Sequence, residues 1–521
     1  MKIKYLSTLI IALFGLLMVS CSDRLNIAEN GNRGGVDKFY STDNEADEAL
    51  ASLYISLRSN YFDWFFVKNM LSDDSWTGGG SRGDNSQLEG LNEYTFSTDN
   101  SMIGGLYSAL YTNIYKANLI IDKVHGTSSE MQRDIAEARY WRAFCNFELV
   151  TLWGTPPLID HLLSTKEYRP SNSTPAKLWA AVDTDLKTAI SSNALPSKTS
   201  VNDSITGQRI TKEAAEALLG KSYLFQGKYS EAASMLDKVI ESDKYCLYTG
   251  DYSTLLHAVN NNCCESIVEL QMRNDTEQEW NQMTMLYLMI GWRTDHLNIS
   301  GDAATNIATG TYGFMNPTKS LYNAFVSDEG INGYRLKNTI RTYAQMNDYG
   351  VTLQSGISLY GNEGYFNWKN RCLKSDCITD ASYFQALQYI DLHFMRYAEV
   401  LLMAAEANLE TGNTTKALKY TNLIRNRAKL SSLSTITLSD IKLEKRLELC
   451  FEGIRYQDLI RWNDASTALA NQGAQIPCYF STGVSYDYSN SNYGFKEKNK
   501  LLPIPLKEIE LNSNISQNAN W

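Results

Sequence analysis

Apolar residues recur at three- and four-residue steps over much of the chain, the period of a helix with one buried face. Between Asp43 and Leu57 the stripe is Ala46, Ala49, Leu50, Leu53 and Leu57. From Ile103 to Val124 it is Leu106, Leu110, Ile114, Ala117 and Ile121. Glu130 to Trp153 carries Ile135, Ala138, Trp141, Phe144, Phe147 and Leu152, and Gly154 with Pro156-Pro157 ends that helix. Trp179 to Ile190 is a further amphipathic stretch. Trp141, Trp153, Trp179 and Trp462 fall at helical spacings and are expected in the core.

Two segments share a tighter pattern. Gly220, Tyr223, Gly227, Tyr229, Ala232, Leu236 and Ile240 are spaced like a tetratricopeptide helix pair, and Ala404, Ala407, Gly412, Ala417, Tyr420 and Ile424 repeat the spacing. Small residues let two antiparallel helices approach, and the glycine ends the first of them. Two units are too few for a solenoid, so they are expected to fuse with the helices around 103–153. Residues 244–388 break the pattern, being rich in Asn, Gly, Thr, Tyr and Met with short β-like runs. Residues 59–100 and the stretch after 465 read as irregular too. Loops of such length are uncommon without a function. The expectation is a mainly α fold, a helical frame carrying a long loop-rich lobe.

Composition narrows the function. The 521 residues carry a net charge of −10 and no basic block, which argues against nucleic acid. The charge also argues mildly against polyanions, unless a local basic pocket overrides it. There are 32 Tyr and 10 Trp. Their flat faces and polar edges suit sugar rings, although most are expected to pack helices. Five histidines without ligand spacing suggest no metal site, and no cofactor is expected. Gly220-Lys221-Ser222 imitates a phosphate loop, but Ala215 stands where the first glycine is required. Asp73-Asp74 are neighbours, whereas glycosidase carboxylates are set by separation in space.

The first twenty residues read as a signal peptide: Lys2 and Lys4, then an apolar run from Leu6 to Val19 that is too short to span a bilayer. Leu17-Met18-Val19-Ser20-Cys21 resembles a bacterial lipobox, with Cys21 the lipidated residue. Residues 21–40 then form a polar tether, and 41–521 a single domain with an N-terminal part to about 240. Eight further cysteines are too few for a disulfide scaffold, and bridges Cys263–Cys264 or Cys372–Cys377 stay open.

Five motifs in order resemble the SusD/RagB family. They are Ala136-Glu137-Ala138-Arg139-Tyr140-Trp141-Arg142-Ala143-Phe144 running on to Trp153-Gly154; Gly313-Phe314-Met315-Asn316-Pro317; Arg396-Tyr397-Ala398-Glu399 running to Glu406-Ala407; Glu444-Lys445-Arg446-Leu447-Glu448 leading to Phe451-Glu452-Gly453-Ile454-Arg455; and Leu502-Pro503-Ile504-Pro505. Glu444 and Glu448 are expected to pair locally with Lys445, Arg446 or Arg455. The resemblance implies four tetratricopeptide-like helix pairs and a ligand-bearing lobe. It implies an outer-membrane lipoprotein facing the exterior, which binds oligo- or polysaccharide without catalysis. It also implies a SusC-like TonB-dependent barrel as partner, and peptide is the alternative ligand.

Candidate ligand contacts come from the loops. Trp76 lies in Ser72-Asp73-Asp74-Ser75-Trp76-Thr77-Gly78-Gly79-Gly80, and Asp73, Asp74, Arg82 and Asn85 beside it could bond sugar hydroxyls. A second group is Trp280, Tyr287, Trp292, Arg293 and Asp295. Tyr312, Phe314 and Trp368 form a third.

Overall fold

The computed structural model describes residues 39–275, 285–379, 386–490 and 492–521. The leader, Cys21 and Trp280 lie outside these residues. Seven helices open the described chain: α1 (Asp43–Met70), α2 (Ser86–Glu93), α3 (Ser101–Lys123), α4 (Ser129–Trp153), α5 (Pro175–Ser191), α6 (Lys212–Phe225) and α7 (Tyr229–Glu241). Later come α8 (Lys319–Glu329), α9 (Tyr397–Glu410), α10 (Thr414–Arg427) and α11 (Leu438–Leu449), with shorter helical turns between.

Helix α1 starts at a capping box: Thr42 Oγ1 accepts from Glu45 N at 3.3 Å and Glu45 Oε2 accepts from Thr42 N at 3.0 Å. It continues past the expected end, and from Trp64 to Met70 every residue is buried, leaving no exposed face to read. The region expected to be irregular from residue 59 is therefore helical to Met70 and again in α2.

The helices pack in sequence: α1 on α3, α3 on α4, α4 on α5, α5 on α6 and α6 on α7. Helix α7 then packs on α9, and α9 on α10. The stack thus continues across the intervening lobe, which leaves after α7 and returns before α9. At Gly220 a Cβ would lie 2.6 Å from Leu236 Cγ, so only glycine allows α6 and α7 this approach.

The lobe is built from short antiparallel ribbons: β1 (Ser75–Gly78) with β4 (Phe314–Pro317), β2 (Ser266–Leu270) with β9 (Leu392–Arg396), β3 (Leu297–Ile299) with β6 (Val351–Leu353), and β5 (Ile340–Thr342) with β8 (Tyr365–Asn367). A three-stranded sheet has the order β11 (Gly483–Ser489), β10 (Gln475–Phe480), β7 (Leu359–Tyr360). The stretch after 465, expected to be irregular, therefore contains a hairpin. The lobe has its own small core of Trp292, Leu297, Ile307, Met346, Phe366 and Trp368.

Buried ion pairs join lobe to frame. Glu448 is fully buried and faces Arg335 (3.2 Å), Arg396 (2.7 Å) and Arg427 (2.5 Å). Burial alone would raise its carboxyl, but Arg427, Arg396 and Arg335 outweigh that and hold it well below the carboxylate range. Glu444 pairs with Arg335 at 2.6 Å and Arg425 at 3.0 Å. These distant partners replace the expected pairing within the motif, because both glutamates point into the packed interior. Cys263, Cys264, Cys372 and Cys377 are all thiols.

Candidate functional site

Ribbon β1–β4 places Trp76 opposite Asn316. Gly78 follows at φ +77°, where a Cβ would meet Gly313 O at 2.2 Å. The Gly-rich run is thus the means by which two backbones close on each other beside the tryptophan. Trp76 is half-buried and donates Nε1–H to Glu363 Oε2 at 2.8 Å. The same oxygen accepts Lys319 N–H at 2.6 Å, and Oε1 accepts the Tyr486 hydroxyl at 3.1 Å. Glu363 therefore ties together β1, the start of α8 and the β10–β11 hairpin.

Around this carboxylate lies a run of tyrosines. Tyr322 on α8 and Tyr365 on β8 stack with centroids 4.5 Å apart and planes at 27°. Burial pushes the Tyr365 phenol up to about 12, with Tyr322, Glu363 and Tyr486 adding to it. These neighbours place Tyr365 in one group with Tyr486. On β11, alternation puts Val484, Tyr486 and Tyr488 on one face, and they are 40%, 44% and 43% exposed. Tyr488 meets Tyr360 edge-on at 6.0 Å, and the Arg82 guanidinium lies 5.9 Å from its ring. The result is a partly exposed aromatic arc from Arg82 and Tyr488 past Trp76 and Glu363 to Tyr365 and Tyr322.

Of the expected contacts, the structure brings Trp76 and Arg82 to this arc. Arg82 is forked onto Glu93, with Nη2–Oε2 at 2.9 Å, and this pairing raises its guanidinium further. Asp73 and Asp74 have a different role. Asp73 is bound by Arg455 at 2.8 Å and Arg446 at 2.9 Å, and Asp74 by Arg446 at 2.8 Å. Burial opposes the charge on Asp73, but the two arginines hold its carboxyl low; Asp74, deeper still, is pushed up by burial. These carboxylates are structural ion-pair partners rather than open sugar contacts. Asn85 likewise caps α2, its side chain accepting from Leu88 N at 3.1 Å.

The second and third groups are mainly core. Trp292 is 4% exposed and donates Nε1–H to Asn367 O at 3.0 Å. Trp368 stacks on it at 5.8 Å and is 5% exposed. Both rings are closed to a ligand because they fill the lobe core. Tyr287 and Phe314 are buried as well. Arg293 pairs with Asp295 at 2.9 Å and donates to Tyr312 O at 3.4 Å, while Tyr312 is half-buried against the core. Glu363, Tyr322, Tyr365, Tyr486 and Tyr488 were not singled out by their sequence context. The period-two run Val484, Tyr486, Tyr488 was the one available signal.

Residues 264–521 match the family model described as "SusD family", and residues 37–224 match one described as "Starch-binding associating with outer membrane". The chain belongs to the SusD/RagB family. A SusD-like protein of Bacteroides ovatus is 26% identical over 488 residues, covering 87% of this chain and 82% of its own. One from Formosa agariphila is 24% identical, covering 96% of each chain. Among solved structures, a laminarin-binding SusD-like protein superimposes with a TM-score of 0.78 at 27% identity, covering 92% of this chain and all of its own. Surface glycan-binding protein A from Bacteroides uniformis shares the fold, with a TM-score of 0.73 at 24% identity over 92% of this chain and 100% of its own. The mainly helical SusD-like architecture expected from the motifs is the one observed.

Proposed function

We propose that this SusD/RagB protein is a non-catalytic saccharide-binding lipoprotein of the outer membrane, anchored through Cys21, which hands its ligand to a SusC-like TonB-dependent barrel. The observation that carries the binding reading is the arc around Glu363. Tyr322, Tyr365 and Tyr486 offer ring faces at modest entropic cost, since a tyrosine side chain has few rotors. Glu363 and the phenols supply hydrogen bonds at the rim. Sugar rings have the matching form, an apolar C–H face and a hydroxyl edge. Such a shallow, wet surface returns little net energy, so affinities on the order of micromolar to millimolar are expected.

The laminarin-binding relative supports the same ligand class and makes laminarin the first polysaccharide to test. The description "Starch-binding associating with outer membrane" supports the location. Among the described residues no helix is long and apolar enough to cross a membrane. The non-catalytic reading is supported by Asp73 and Asp74, whose carboxylates are engaged by arginines.

Calorimetric titration with laminarin, starch and a peptide digest tests the proposal. Heat from a polysaccharide, with affinity weakened in Tyr365→Ala, supports it. Heat from peptides alone overturns it in favour of peptide capture.

A further inference from the structure

The reverse face of the β5–β8 ribbon holds a different arrangement. Arg341 stands opposite Phe366 and Thr342 opposite Tyr365. Alternation therefore puts Arg341, Phe366 and Trp368 on the face turned away from Tyr365. The Arg341 guanidinium carbon lies 3.3 Å from the Trp368 ring centroid and 5.7 Å from that of Tyr349. The Arg371 guanidinium lies 4.6 Å from the same indole. Tyr349 meets Trp368 edge-on at 5.1 Å and is half-buried, as is Arg341.

Two guanidinium groups thus share one indole, and among the described residues no carboxylate touches either. Among the described residues, neither has an acid within ion-pair distance. Arg371 spends its donors on Ser253 O (2.9 Å), Trp368 O (2.9 Å) and His257 Nε2 (3.3 Å). Asp376, which holds the His257 ring at Nδ1 over 2.6 Å, and Asp251 favour the Arg371 charge from a distance, without an ion-pair contact. Burial pushes the Arg371 guanidinium down to about 10, and the charge of Arg341 adds to that. Arg341 is lowered by burial too, and among the described residues its side chain makes no hydrogen bond. The contrast within the molecule is sharp. Arg335 and Arg396 are buried, Arg427 and Arg461 are mostly buried, and each is bound by glutamates. In a chain of net charge −10, Arg341 thus has no carboxylate in contact among the described residues and is only half-buried.

We infer that Arg341, stacked on Trp368 and backed by Arg371, is an oxyanion-binding site that takes the carboxylate or sulfate group of an acidic saccharide. A guanidinium held flat on an indole presents its N–H edge in a fixed direction, which suits two parallel bonds to a carboxylate or sulfate. The ring also removes the entropic cost of ordering the side chain. The choice of a saccharide as carrier of the anion rests on the binding function proposed above; the anion site itself stands on its own face of the ribbon.

The test uses the full chain, an oligoglucuronate and the same oligosaccharide with its carboxyl groups reduced to neutral sugars. The charged form is expected to bind about tenfold more tightly, the equivalent of one charge-assisted hydrogen bond. That preference should vanish in Arg341→Gln and fall several-fold in Arg341→Lys, which keeps the charge and loses the flat fork. Sodium glucuronate and sodium sulfate, added separately, should each raise the melting temperature of the native chain and not of Arg341→Gln. Equal binding of the two oligosaccharides, or a preference that survives in Arg341→Gln, overturns the inference. Loss of neutral glucan binding with the anion preference intact supports it, and overturns the tyrosine platform instead.

Discussion

Trp76 and Glu363, 287 positions apart, are joined by an indole-to-carboxylate hydrogen bond of 2.8 Å. The same glutamate holds Tyr486 on the β10–β11 hairpin at 3.1 Å. A single carboxylate thereby sets the relative positions of a Trp on β1 and a Tyr on β11, both half-open to solvent. A rigid arc is expected to bind better than the same rings on independent loops, because less is ordered on binding.

Glu363→Ala should therefore weaken polysaccharide binding by about tenfold, since a hydrogen bond to a charged group contributes roughly 1.5–3 kcal/mol. The measurement is titration calorimetry, with circular dichroism to show that the helical frame is intact. Unchanged affinity would remove Glu363 from the site.

The stacked pair Tyr322 and Tyr365 separates ring face from hydroxyl. Tyr365→Ala should reduce affinity by about tenfold through lost contact area, whereas Tyr365→Phe should keep most of it. If Phe and Ala weaken binding equally, the hydroxyl and not the face carries the interaction.

Asp73→Asn should act on stability alone. Its carboxylate is bound by Arg446 and Arg455, and breaking a buried pair leaves arginine charge unbalanced at a cost of about 3–5 kcal/mol. Urea unfolding should show the loss, and ligand affinity at low denaturant should be unchanged.

Asp458 gives a pH signature. Its pKa is lowered to about 2: burial would raise it, but Lys445 at 2.8 Å and Arg461 at 2.8 Å prevail. A depressed carboxyl contributes stability that is complete above its unfolded value near 4 and is lost as pH falls through the folded value. The stability difference between the native chain and Asp458→Asn, measured in urea, should hold from pH 7 to about 4 and shrink towards pH 2. A difference that stays constant down to pH 2 would show that the ion pairs do not set this pKa.

Gly220→Ala should destabilise by about 1–3 kcal/mol through overpacking, because the added methyl meets Leu236 at 2.6 Å. Combining it with Leu236→Ala should cost less than the sum of the two single changes, measured by a double-mutant cycle.

The helical frame was legible in the sequence because a helix writes its buried face into neighbouring positions. The stripes at 103–124 and 130–153 gave α3 and α4 almost to the residue, and the small residues at Gly220 and Gly412 marked the two close helix pairs. Where a helix is buried on all sides, as α1 is from Trp64 onward, the stripe disappears and its length was missed.

The binding face followed a different logic. Trp76, Glu363, Tyr365 and Tyr486 belong to three separate loop segments with no shared period, and only long-range pairing of short ribbons brings them together. The same holds for the charges. Asp73 and Asp74 read as open loop acids until Arg446 and Arg455 are seen across the fold, and Trp292 and Trp368 read as platforms until they fill a core. Local periodicity determined the frame and the family motifs. Tertiary contact alone decided which polar and aromatic side chains are satisfied inside and which remain for a ligand, because burial is a property of the partners and not of the residue.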